Sequence, residues 1–153
     1  MTVGVAFFTI HAKRGAAGLA ALLGETITGI VISDRGSAYH RLDVSRRQLC
    51  WAHLLRDFQA LVDRGGRGKE FAAQLLCLAD DVFHWWHRVR DGTLSRAALR
   101  TYTDSQRPWL RNLLERGAAC GCAKAEALCR NLLGLEPALC TFVRVAGVEP
   151  MSQ

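Results

Sequence analysis

At 153 residues, half of them apolar and 22% charged, the chain is long enough to bury one ordinary core and too apolar for a disordered polymer. No apolar run reaches membrane-spanning length, and Met1 to Ile10 lacks the charged region and cleavage site of a secretory signal, so a cytoplasmic protein is expected. A formal charge of +6 favours polyanionic partners without naming one.

Val3 to Ala12, rich in Val, Phe, Thr and Ile, reads as a strand. Lys13-Arg14-Gly15 turns the chain, and Ala16 to Leu23 reads as a short helix stopped by Gly24. Thr28 to Ser33 is the next strand, so the chain opens as an α/β unit with a right-handed crossover. After Tyr39 the pattern turns helical. From Gln48 to Val62, Trp51, Leu54, Leu55, Phe58, Leu61 and Val62 share one arc of a helix, and His53 and Arg56 lie outside it. Arg64 to Gly68 reads as a flexible basic connector, since it has neither the spacing of a phosphate loop nor a strand before it.

Glu70 to Arg90 reads as a second long helix in which Trp85 and Trp86 serve the core, with base stacking as the alternative. Thr93 or Ser95 caps a third helix running toward Arg107. On an unbroken helix Arg96, Arg100, Arg107 and Arg111 share one face, either a phosphate-facing stripe or a solvated surface, and Pro108 threatens its phase. Ala123 to Leu133 and Pro137 to Val145 look like two shorter helices, and the end from Gly147 to Gln153 looks like a turn without a partner. The six cysteines lie mostly within helical patterns. Neither Cys50-Trp51-Ala52-His53 nor Cys120-Gly121-Cys122 is a good zinc knuckle, which leaves reduced core thiols as the expectation.

Asp34 is the candidate for chemistry. It ends the run Gly29-Ile30-Val31-Ile32-Ser33 and precedes Arg35-Gly36-Ser37, which places a carboxylate where a buried strand releases the chain. Ligands gather beyond the carboxyl ends of such strands, and a hard divalent cation takes oxygen ligands. The alternative is an aspartate that caps the turn by accepting nearby amides.

Three strings carry a resemblance: Gly29 to Tyr39, then Arg47-Gln48-Leu49-Cys50-Trp51-Ala52-His53-Leu54-Leu55-Arg56-Asp57-Phe58, and Leu139-Cys140-Thr141-Phe142-Val143 followed by Gly147-Val148-Glu149-Pro150. In these the chain resembles the DDE transposases of bacterial insertion sequences, the group numbered sixty-six. The resemblance implies an α/β fold: a partial ribonuclease-H-like core, with strands near 3–12 and 28–33, and a large helical insertion after residue 45. The implied divisions are 1–44 for the core, 45–147 for the helical region and 148–153 for a truncated tail.

The implied reaction is metal-dependent phosphoryl transfer in DNA transposition, with three carboxylates holding two Mg²⁺ (or Mn²⁺) ions. Asp34 matches the second of the three, both a catalytic residue and a metal ligand. The first and third find no match, since Glu25 and Glu149 fall outside the family's motifs. The expectation is therefore a transposase fragment, inactive alone, with transposon-end DNA as its partner. DNA contacts are expected from Arg35, Arg46, Arg47, His53 and Arg56 and from the stripe Arg96, Arg100, Arg107 and Arg111. The alternative is a non-enzymatic DNA-binding protein, or an inhibitory partner of a full-length transposase.

Overall fold

The computed structural model describes residues 15–24 and 26–151, so the strand expected over Val3 to Ala12 lies outside the described residues. Helix α1 (Ala16–Leu23) forms as its composition requires, and Gly24 ends it with φ of 75° while donating its N–H to the Ala20 carbonyl. Strand β1 (Val31–Ser33) is shorter than the apolar run that announces it. Its partner β2 (Arg47–Leu49) is only three residues long, and the two pair in parallel with Val31 opposite Arg47 and Ser33 opposite Leu49.

Strand β2 corrects the helix expected from Gln48. Helix α2 (Trp51–Arg64) begins only at Trp51, because Gln48 and Leu49 are committed to the sheet. A three-residue strand has no periodicity of its own, so the apolar arc absorbed it. Within α2 the arc itself holds: Trp51, Leu54, Phe58 and Leu61 are buried.

Helix α3 (Arg67–Arg90) starts earlier than the periodicity indicates. The connector shrinks to Gly65 and Gly66, both in the left-handed region with φ of 73° and 71°. Gly68, expected in the loop, is buried inside α3, where a Cβ would stand 3.0 Å from the Ala125 Cβ and 3.2 Å from the Cys122 Sγ. It is glycine because another helix crosses there.

Helix α4 (Arg96–Gly117) is capped as anticipated, the Ser95 hydroxyl accepting the Ala98 N–H at 3.1 Å. Pro108 does not break it. The residue is exposed, so the carbonyl that loses its helical donor faces water. Helix α5 (Ala123–Gly134) crosses α4 closely at Gly117, where a Cβ would lie only 2.5 Å from the Cys129 Sγ. Helices α2 to α5 pack in series, and α5 returns to α3.

The helix expected over Pro137 to Val145 splits into a 3₁₀ turn at Glu136–Ala138 and the single turn α6 (Thr141–Arg144). The cause is Gln48. Its side-chain NH₂ donates to the Leu139 carbonyl at 2.9 Å, and its oxygen accepts the Phe142 N–H at 2.8 Å, taking backbone groups a continuous helix would have used. The tail is also corrected. Pro150 is buried, its carbonyl accepts the Trp51 N–H at 2.9 Å, and Val148 and Met151 pack on the core. The fold is thus mostly helical, with a small parallel sheet at one side of the helical body. Among the described residues no helix is long and apolar enough to cross a membrane.

Candidate functional site at the sheet end

The parallel register brings the carboxyl ends of both strands to the same edge. Beyond Ser33 and Leu49, Asp34 and Cys50 leave the sheet together, with the Cys50 N–H donating to the Ser33 carbonyl at 2.8 Å. Asp34 is half-buried there. Its Oδ1 accepts the Gly36 N–H at 2.7 Å, the turn-capping bond anticipated for an aspartate at this place. A Cβ at Gly36 would stand 2.8 Å from the same oxygen, so a larger residue there would push the carboxylate aside. Asp34 Oδ2 accepts no hydrogen bond among the described residues, so one carboxylate oxygen stays open to a ligand.

Arg47, read from sequence as a DNA contact, is 1% exposed. Its guanidinium donates to the Ser33 hydroxyl at 3.2 Å and to the Asp34 carbonyl at 3.1 Å, and lies 5.8 Å from the centre of the Tyr39 ring. Burial lowers its pKa, and the nearby Asp34 carboxylate opposes that shift. Its Nε is buried without a hydrogen-bond partner among the described residues. Arg47 thus holds the chain that carries Asp34. The Thr141 hydroxyl locks the other side of the same residue, donating to the Arg47 carbonyl at 2.6 Å.

Arg35 turns toward α2 and α5. It donates through Nε and NH2 to Asp57, at 3.2 and 2.5 Å, and through NH1 to the Asn131 side-chain oxygen at 3.1 Å. Asp57 belongs to the string that carries the resemblance, yet nothing in its local pattern singled it out. The pair closes a sequence separation that no local reading spans. His53 sits in the first turn of α2, half-buried, with a buried Nδ1 that has no hydrogen-bond partner among the described residues. Arg56 is exposed and donates to the Ala52 carbonyl, while Arg46 donates to the carbonyls of Ile27 and Thr28.

The arginines of α4 stay in phase but are engaged by the protein itself. Arg107 and Arg111 converge on Glu136, at 3.1 and 3.2 Å, and that carboxylate side chain is only 10% exposed. Arg96 donates to the Phe142 carbonyl at 2.8 Å and covers the Trp86 ring, and Arg100 lies 3.6 Å from Asp104. Trp86 is buried, as expected for a core residue, and Trp85 stacks on Tyr102 with centroids 5.0 Å apart. Glu136 carries no sequence signal beyond its proline neighbour.

No group of three or more His, Cys, Asp or Glu side chains that could hold a metal ion gathers among the described residues. No disulfide joins the cysteines among the described residues, and burial pushes the Cys129 thiol up to about 11.

The model of the family described as "Transposase IS66 family" matches residues 2–152. No curated relative and no solved structure matches the chain. Because that family match leaves out only Met1 and Gln153, the chain belongs to the IS66 family of transposases.

Proposed function

We propose that this chain contributes part of the catalytic domain of a DNA transposase that works by metal-dependent phosphoryl transfer. The observation that carries the reading is Asp34 at the carboxyl end of β1, held by Arg47, with one carboxylate oxygen open. In this reading Asp34 is a catalytic metal ligand, and the parallel strands belong to a ribonuclease-H-like core. The DNA is that of the transposon ends.

The donor set tests the metal. Two divalent ions about 4 Å apart need several bridging and flanking oxygens, and the described residues bring no such cluster to Asp34. Asp34 therefore fits as one member of a set and not as the set, and no catalytic step follows from these residues alone. The chain by itself handles DNA without cutting it. The same incomplete set favours a second reading, a non-enzymatic DNA-binding protein or an inhibitory partner of a full-length transposase.

The test is a cleavage and strand-transfer assay on labelled duplex DNA with Mn²⁺, run beside a binding assay at low salt. Binding without cleavage is the expected result. Cleavage lost in Asp34→Asn would overturn the inactivity of the isolated chain. Cleavage that survived Asp34→Asn would remove Asp34 from the chemistry. No binding at low salt would overturn DNA handling by this chain.

A further inference from the structure

Beside the Asp34 edge lies a cavity of about 570 Å³, walled by the turn after β1, by α2 and by α5. Its polar wall is built from Arg35, His40, Arg64 and Lys124, with Asp57 the one carboxylate among the described residues. Arg35 is tied to Asp57 and Asn131. The other three differ: His40, Arg64 and Lys124 are exposed and make no hydrogen bond or ion pair through their side chains among the described residues. Arg64 and Lys124 are cations without a protein anion among the described residues, unlike Arg107 and Arg111, which share Glu136, with Glu115 a second partner of Arg111.

A second concavity, of about 370 Å³, shares His40 and Asn131 with the first and continues past Arg47 and Arg130. The two adjoin at those residues as one run of open surface and not a closed pocket, its far part held by Arg47, which is buried, and Arg130, which pairs with Glu126. Such a run suits a polymer of phosphates better than a single nucleotide, since successive anions find successive cations. Among the described residues no Phe, Tyr or Trp lines either concavity, and the His40 imidazole is the one aromatic ring there, so the surface is poor in platforms on which bases stack. Such a surface reads phosphates and leaves sequence unread.

We propose that this groove binds the sugar-phosphate backbone of DNA, with Arg64 and Lys124 as its outer phosphate contacts and Arg35 oriented by Asp57 as the inner one, next to Asp34. The inference rests on the DNA-handling reading and adds to it the path of the strand. Asp57 has a double part: it fixes the Arg35 guanidinium, and its charge limits how tightly the backbone is held.

The experiment is fluorescence anisotropy of the purified chain with a labelled duplex of random sequence, over a range of salt. The double variant Arg64→Glu/Lys124→Glu is compared with Arg88→Glu/Arg90→Glu, which changes charge equally at two exposed positions in the last turn of α3. Arg90 ends α3 at the far side from Gly68, the residue that touches α5 beside Lys124. The groove variant is expected to lose at least about ten-fold in affinity and about two in the slope of log affinity against log salt, the control far less. Asp57→Asn is expected to bind several-fold tighter.

Equal losses in the two double variants would overturn the groove and leave DNA handling intact, because diffuse charge would explain both. Binding to polyglutamate as tight as to DNA of equal charge at the same salt would overturn the choice of DNA as occupant. An absence of binding by the unaltered chain would overturn the groove and the reading beneath it together. Both substituted positions are exposed, and an unchanged thermal transition separates lost contacts from lost folding.

Discussion

In the helical body, Leu54, Leu75, Leu99, Leu113 and Leu132 are buried in one apolar core, whereas at the sheet end Arg47, Gln48 and Thr141 are buried as deeply and each is hydrogen-bonded. Apolar packing has no direction, and similar volumes substitute for one another at modest cost. Buried polar groups tolerate only partners at the right angle and distance, and an orphaned one costs about 1–3 kcal/mol. The helical body therefore supplies most of the stability. The sheet end supplies position, which the metal-ligand role proposed for Asp34 requires.

Phe142→Ala is the variant that strains this division most, because Phe142 belongs to both regions. Its ring meets Trp86 edge-on at 5.1 Å, and its N–H is held by Gln48. A loss of about 4 kcal/mol in urea unfolding is expected. A loss below about 1 kcal/mol would show that α6 is not part of the core, and the contrast would need redrawing.

Gln48→Leu keeps the volume and removes the polar bridge. It strands the Phe142 N–H and removes one of two donors to the Leu139 carbonyl, which keeps the Trp51 indole N–H, at an expected cost of about 2 kcal/mol. Amide exchange at Phe142 should accelerate while exchange in the middle of α3 changes little. Uniform acceleration would mean that both regions open as one unit. Neutral behaviour would mean that the buried network sets no position.

Ser95→Ala touches the helical body alone. It removes the cap of α4, an expected loss of about 1 kcal/mol with DNA affinity unchanged. A change in affinity would couple this distant cap to the groove, and the division of labour would fail.

The two regions were not equally legible. The long helices announced themselves through a period near 3.6, and the Ser95 cap and the Gly24 stop followed from residue chemistry. Asp34 was legible because a β-branched run ended in a carboxylate. By contrast, Arg47 and Gln48 carry side chains that local pattern assigns to a surface, and both are buried.

The order of residues alone fixes the helical segments, the place of Asp34 at a strand end and membership of the transposase family. Packing decides the rest. Strand β2 exists because β1 lies beside it, and the helix after Pro137 is interrupted because Gln48, 91 residues from Leu139 along the chain, takes its backbone groups. The same holds for the cations: Arg107 and Arg111 share Glu136, Asp57 orients Arg35, and Arg64 and Lys124 are left without an anion among the described residues. Helical periodicity is a property of near neighbours, whereas the pairing of charges and the satisfaction of buried amides depend on residues that meet only after the chain has folded.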